Sequence, residues 1–271
     1  MAKGTLIGAG LLLLGNASMA TAAMAQTTTT PVAEASRTRS AVAESRAFSR
    51  DRGTLRSFSV EEGFVNGDTT FLLAPTFGER RMPGVDDDAL GLRGTLYENW
   101  SPTVSTRTSL FLAEDTPVFA HIDVAQDLTV RVADRTTLTA GIRWADYFGG
   151  REATFLSLGA RRYFSGGSIA YRLTGAQVDG QDHFLAHLVN LRLNDPRGDG
   201  NTQLWLSSGD ASLSQFDDTL TGGNQAFMLQ RTQPLSRDIA LVAAAGLSSY
   251  DSSGGRYTAT SFKLGLSAKL D

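Results

Sequence analysis

The chain has no cysteine in 271 residues, which excludes disulfide staples, thiolate metal centres and a lipid-acylated cysteine. It has no apolar run of about twenty residues, the length that a membrane-crossing helix needs. A net charge of -3 and a pI near 5.7 leave no basic excess for holding nucleic acid. No glycine-rich phosphate loop, HExxH or nucleophile elbow occurs. Mean hydropathy is -0.13 with 41% hydrophobic residues, an ordinary soluble-looking balance. A transmembrane barrel hides its lipid-facing residues by alternation, however, so the average does not exclude one.

What is present begins with an address. MAKGTLIGAGLLLLGNASMATAAMAQ places Lys3 before an apolar stretch from Leu6 to Leu14, then small residues ending in Ala23-Met24-Ala25. That is the layout of a bacterial secretory signal, with cleavage expected after Ala25. Residues 26–53 are polar, threonine-rich and dotted with arginine, and read as a mobile periplasmic extension. Residues 54–271 then read as one β-barrel domain.

From Gly53 onward, alternating segments recur between Gly, Asp, Asn, Ser and Pro clusters. They fall at 54–65, 68–78, 91–100, 103–113, 118–132, 136–147, 153–164, 168–178, 182–194, 201–210, 225–233, 238–250 and 256–270. In TLTAGIRWADY, Leu138, Ala140, Ile142 and Trp144 share one parity, while Thr139, Gly141 and Arg143 share the other. Ordinary strands average about five or six residues; a membrane-crossing strand needs about nine to eleven. Most segments meet the longer figure. Their polar parity carries small residues and isolated charges, as a barrel lumen does.

The reading is therefore an all-β, antiparallel transmembrane barrel in the outer membrane, with apolar parities against lipid and Arg143 inside. The segments number thirteen, while single-chain bacterial barrels have an even count. Fourteen strands is favoured, with one strand hidden before Gly53; twelve is the alternative. With the C-terminus in the periplasm, VADRT, FSGGS and PLSRD become periplasmic turns. ERRMPGVDDDA and ASLSQFDDTLTGG become the longest outer loops, and NDPRGDGN is long for its periplasmic side.

The block TLTAGIRWADYFGGREATFLSLGARRYFSGGSIAYRL resembles the YaiO family of outer-membrane β-barrels. The likeness is carried by Gly141-Ile142-Arg143-Trp144, by ARRYF at 160–164 and by Tyr171-Arg172, and it extends over about residues 118–210. It implies an outer-membrane location and brings no established enzymatic activity. Related barrel domains accompany polysaccharide secretion systems, so glycan passage is an extension of the resemblance. The chain departs from many such barrels in ending Lys269-Leu270-Asp271, without a terminal aromatic.

The candidate site is a network of lumen-lining charges: Arg107, Asp123, Asp127, Arg131, Arg143 and Arg161. In the hairpin around ADRT, pairing Val132 with Leu138 sets Asp127 opposite Arg143. Buried charges of this kind must pair or stay hydrated. They form either a self-neutralising plug, the favoured reading, or a constriction that filters or binds anions. His183 and His187, four residues apart on a strand, lie about 13 Å apart, too far to share a metal. They read as interface or loop-packing residues. His121 and Asp123 share a polar parity near a serine-rich strand, but no local motif selects a nucleophile. GVDDDALG (84–91) reads as a solvated acidic loop, and Trp100, Trp144, Phe148, Tyr163, Phe164 and Tyr171 as parts of aromatic girdles.

The functional expectation is a scaffold or narrow conduit, associated with surface-polysaccharide handling. The alternative is a barrel-embedded enzyme acting on lipid or glycan. No catalytic residue, metal ligand or cofactor is assigned. The expected partners are outer-membrane lipids, lipopolysaccharide, the barrel-assembly machinery and polysaccharide, and not nucleic acid.

Overall fold

The computed structural model describes residues 36–179, 183–196, 200–210, 223–251 and 255–270. The proposed signal sequence lies outside the described residues. Fourteen strands close a barrel in which every chain neighbour is an antiparallel partner and β1 seals against β14. They are β1 (Ser36–Phe48), β2 (Thr54–Asn66), β3 (Thr69–Met82), β4 (Val85–Ser101), β5 (Val104–Ala113), β6 (Ala120–Ala133) and β7 (Thr136–Tyr147). The circuit continues with β8 (Arg151–Phe164), β9 (Gly167–Val178), β10 (Phe184–Asn194), β11 (Asn201–Asp210), β12 (Gly223–Pro234), β13 (Ile239–Tyr250) and β14 (Tyr257–Leu270). Closure leaves no sheet edge, which is what allows strands to sit in hydrocarbon, where nothing else would satisfy their backbone.

The exterior is apolar by alternation. On β7, Leu138 and Ile142 are about half exposed, and β8 presents Leu156 and Leu158, β14 Phe262, Leu264 and Leu266 in the same way. Their neighbours of opposite parity are shielded inside, among them Thr137, Ala145 and Tyr147 on β7. Aromatic residues gather outside toward both rims. Phe64, Phe71, Trp100 and Phe164 lie toward the end that carries β1's start and β14's finish, the terminal end. Phe58, Phe77 and Trp144 lie toward the opposite, loop end. Two such belts suit rings that sit at the two membrane–water interfaces.

Three expectations change. The barrel begins at Ser36 rather than at residue 54, because β1 occupies most of the stretch read as a polar extension. This strand supplies the fourteenth member. Its outward positions are Arg37, Arg39, Ala41, Ala43, Ser45 and Ala47, so small and polar residues fill the lipid parity and no alternation marks it. Its place is set instead by pairing on both sides, with β2 and β14.

The acidic run, read as a solvated loop, belongs to β4 and follows a two-residue turn at Pro83-Gly84. Because side chains alternate, Asp86 and Asp88 face outward and contact Arg81 of β3, while Asp87 stands opposite Arg80 on the other face. The three carboxylates therefore do not converge. Among the described residues no group of three or more histidines and acids is placed to hold a metal.

The β6–β7 register is the third change. Val130, not Val132, stands opposite Leu138, and Asp127 faces Gly141 rather than Arg143. An irregularity between Arg131 and Ala133 precedes the tight turn at Asp134-Arg135. The extra residue of such a bulge moves every later pair.

Candidate functional site: a two-zone lumen

The inward parity divides the lumen lengthwise. Toward the loop end it is packed with apolar residues and shielded from solvent, with Arg46 and Arg80 buried at the same level. Phe48, Leu55, Phe111, Val118, Phe119, Tyr250 and Tyr257 form one cluster, and Ala145, Tyr147, Phe155 and Val178 belong to a second. Val118 and Phe119 come from the connection between β5 and β6, which turns its apolar residues into the barrel; Val118 is 0% exposed. The Phe119 ring meets Phe111 edge to face, with centroids 5.5 Å apart. Each ring occupies a notch left by a glycine: a Cβ on Gly78 would lie 2.3 Å from Phe119, and one on Gly91 would lie 2.5 Å from Phe111. Tyr250 and Tyr257 stack 4.8 Å apart, and the Arg52 guanidinium lies over Tyr257 at 4.1 Å.

Below this plug the same wall turns basic. Arg93 on β4, Arg107 on β5, Arg143 on β7, Arg161 on β8, Arg172 on β9 and Arg192 on β10 all take the inward parity. At this level the carboxylates within the arc are Asp123 and Asp127 of β6; Asp87 of β4 faces inward nearer the loop end, and Glu44 of β1 and Glu61 of β2 face inward beside the arc. The facing wall, from β11 to β13, is uncharged at its inward positions, with Gln203, Trp205, Met228, Gln230 and Val242.

Of the six residues expected from sequence, four are brought together. Arg143 donates twice to Asp123, Nε to Oδ1 at 2.8 Å and Nη2 to Oδ2 at 2.7 Å, and also reaches the Tyr147 hydroxyl at 3.2 Å. Its guanidinium lies 4.8 Å from the Phe155 ring centre. Asp127 accepts from Arg107 at 3.3 Å through one oxygen and from Arg172 through the other. The remaining two lie apart from this cluster. Arg161 donates to Ser168 at 3.0 Å, and Arg131 sits toward the terminal end opposite Thr137.

Sequence reasoning missed Arg172 and Arg93. Arg172 had a visible signal, since it alternates inward beside Ala170 and Thr174. Its partnership with Asp127 spans two intervening strands, and no hairpin pattern reveals that.

The histidines stand away from any shared site. His121 Nδ1 donates to the Ala113 carbonyl at 2.8 Å, and Asp123 is occupied by Arg143, so the two do not form a catalytic pair. His187 lies on the outward parity, 2.8 Å from the Tyr171 hydroxyl, and His183 is exposed just before β10.

Comparison with solved structures places the architecture. The CymD monoaromatic hydrocarbon channel superposes with a TM-score of 0.65 at 7% identity, covering 87% of this chain and 88% of its own. The outer membrane protein Omp33 of Acinetobacter baumannii gives 0.55 at 10% identity, over 87% and 99%. A bacterial polysaccharide outer membrane secretin gives 0.54 at 10% identity, over 86% and 98%. At these identities the likeness is one of fold. The family model of the YaiO membrane β-barrel domain matches residues 38–211, which begin in β1 and cover more than half of the chain. The chain belongs to the YaiO family of outer-membrane β-barrels.

Proposed function

We propose that the barrel is a narrow conduit for anionic solutes, whose selectivity comes from the basic arc of β4–β10 and whose closure comes from the apolar plug at the loop end. The observation that carries this reading is the inward excess of arginine. The protein as a whole has a net charge of -3, yet Arg93, Arg107, Arg143, Arg161, Arg172 and Arg192 face the lumen of that arc against Asp123 and Asp127. A ring of such side chains with low-dielectric walls concentrates anions and repels cations. Arg107, Asp123, Asp127, Arg131, Arg143 and Arg161 are the lining residues this reading engages. Surface-polysaccharide handling is the process we assign to the conduit, in keeping with the fold shared with the polysaccharide secretin.

Planar-bilayer recording of the refolded mature protein tests it. In a salt gradient, the reversal potential is expected to lie on the anion side, and Arg107→Glu with Arg161→Glu is expected to move it toward cations. A silent barrel, both as wild type and after removal of the plug residue Phe119, would overturn the conduit and leave a scaffold.

A further inference from the structure

On the outer wall, one patch at the terminal rim breaks the apolar parity. Arg37 and Arg39 of β1 point outward, with Leu270 and Ala268 of β14 on one side and Phe64 and Glu62 of β2 on the other. The two arginines share a single carboxylate. Arg37 meets one Glu62 oxygen through Nε; Arg39 donates to the other through Nε at 2.8 Å and reaches the first through Nη2 at 3.4 Å. Both Nη groups of Arg37 and Nη1 of Arg39 have no acceptor among the described residues. The arginine side chains are 50% and 54% exposed and that of Glu62 18%, so the carboxylate is covered while the guanidinium groups stay open to the bilayer. The Arg37 guanidinium lies 5.3 Å from the centre of the Phe64 ring. That ring belongs to the aromatic belt of this rim, which sets the patch at a membrane–water interface. Arg39 stands two residues, about 7 Å along the strand, nearer the hydrocarbon. The connections identify the leaflet. At the terminal end two residues each join β2 to β3, β4 to β5, β6 to β7 and β8 to β9, whereas at the loop end residues 211–222 separate β11 from β12. Short turns face the periplasm in such barrels, so this rim lies in the periplasmic, phospholipid leaflet.

We propose that Arg37 and Arg39 together bind the phosphate of an anionic phospholipid, of the phosphatidylglycerol type, on the outside of the barrel at the β1–β14 seam. Two guanidinium groups against one carboxylate leave one positive charge uncompensated. Charge at the edge of hydrocarbon is costly without a partner, and the anion that resides at this depth is a lipid phosphate. A guanidinium fork matches phosphate oxygens in pairs, and the open Nη groups supply two such forks side by side. Phosphatidylethanolamine carries the same phosphate with an ammonium beside it. Glu62, already held by two arginines, is not free to receive that ammonium, so the zwitterion gains less. Deeper on β1 the outward positions are Ala41 and Ala43, between Leu266 and Leu264 of β14 and Val60 and Phe58 of β2. The acyl chains of a lipid anchored above lie along this shallow trough. Elsewhere at the same end, Arg231 is matched by Asp195 at 2.7 Å, and Arg162 stands singly against Thr136. Neither offers a pair of forks. The site does not depend on conduction, because it lies outside the lumen.

Native mass spectrometry of the delipidated barrel in neutral detergent tests the assignment, with phosphatidylglycerol, phosphatidylethanolamine and phosphatidylcholine of identical acyl chains added in turn. Phosphatidylglycerol is expected to be retained about tenfold more tightly than phosphatidylcholine, the worth of one charge-assisted hydrogen bond. Arg37→Gln with Arg39→Gln should bring it down to the phosphatidylcholine level, and Arg37→Lys with Arg39→Lys, which keeps the charge without the forks, should fall between. Glu62→Gln separates this role from a merely structural one. It breaks the same ion pairs but frees the donors, so retention of phosphatidylglycerol should hold or rise. Arg56→Gln, at an outward arginine of the loop end bonded to Glu79 at 3.1 Å, is expected to change nothing. Heat-modifiable gel migration confirms that each variant is folded. Equal retention of the three lipids by the wild type, an unchanged preference in the double glutamine variant, or the same loss in Glu62→Gln would each overturn the site, whatever the bilayer experiment says of conduction.

Discussion

Asp127 on β6 and Arg172 on β9 meet across two intervening strands, over the bare backbone of Gly141. A Cβ at position 141 would lie 2.1 Å from an Asp127 oxygen, 2.7 Å from the Arg172 guanidinium and 2.8 Å from the Ser157 hydroxyl. The glycine is there because a side chain would fill the space where the ion pair forms.

A sign test follows from this. Glycine to alanine in an extended strand normally stabilises, by about 0.4–1 kcal/mol, through the unfolded chain. Gly141→Ala is expected to destabilise by about 1–2 kcal/mol instead, because it displaces a charged hydrogen bond. Urea unfolding in lipid vesicles reads the difference. In an Asp127→Ala background the penalty should vanish, and additivity of the two changes would show that the contact is unimportant.

Asp123 and Arg143 provide a second test. The side chains are 12% and 18% exposed, so the pair is shielded but still within a hydrated lumen. Asp123→Asn leaves the guanidinium without its charge partner and is expected to lower stability by about 2–3 kcal/mol, toward the lower range for breaking a buried pair. Removing both partners, as Asp123→Asn with Arg143→Gln, should recover part of that loss. A double variant less stable than the sum of the singles would show that the pair is not what holds β6 to β7.

The orientation of the strands is testable at one position. Ile142 is 52% exposed on the lipid parity. Ile142→Arg is expected to cost about 2–4 kcal/mol near the bilayer midplane. Thr129 faces Thr139 inside, with their hydroxyls 2.9 Å apart, and Thr129→Gln should cost under about 1 kcal/mol because the lumen accepts polar groups. Refolding yields in vesicles, compared between the two, would reverse if the apolar parity faced a core.

The pairings that sequence revealed are those in which chemistry and period coincide. TLTAGIRWADY showed its faces because Leu138 and Ile142 alternate with Thr139 and Arg143, and both parities were read correctly. β1 was hidden because Ala41, Ala43 and Ala47 are apolar enough for lipid yet too small to mark a stripe. The Asp127–Arg143 pairing was wrong by two residues: the two-residue turn at Asp134-Arg135 sets Ala133 opposite Thr136, one step from the expected register, and the irregularity between Arg131 and Ala133, which has no local signature in side-chain chemistry, adds the second. The plug was invisible for a different reason. Val118 and Phe119 continue the alternating run into β6, and nothing in that pattern distinguishes a ring against lipid from one folded over the lumen. The arginines were legible singly, but which of them lack a carboxylate depends on contacts across several strands.

Charge pairs outside the strands predict a pH dependence of defined sign. In the connection between β13 and β14, Asp251 accepts from Arg256 Nε at 2.8 Å, and this hydrogen bond holds the carboxyl below its usual range. A depressed folded value means that the stabilisation is present above the unfolded value, about 3.9, and is lost as pH falls through the folded one. The unfolding midpoints of wild type and Asp251→Asn should therefore differ slightly at pH 6 and converge toward pH 3. A gap that widens with acid would show the opposite linkage. The effect is expected to be small, since the pair is exposed and screened.

Phe119 offers the sharpest functional variant. Its ring is 8% exposed and fills the notch above Gly78, so Phe119→Ala removes the part of the plug that comes from a connection rather than from the barrel wall. The wall itself, closed by β1 and β14, does not depend on that ring. Truncation is expected to cost about 3 kcal/mol or more by leaving a cavity, while heat-modifiable migration is retained. Conductance should rise severalfold over wild type, with the anion preference kept, because the arginines below are untouched. Phe77→Ala supplies the control, since that ring is 42% exposed on the outside and should leave conductance unchanged. Equal currents from Phe119→Ala and wild type would place the barrier elsewhere in the lumen.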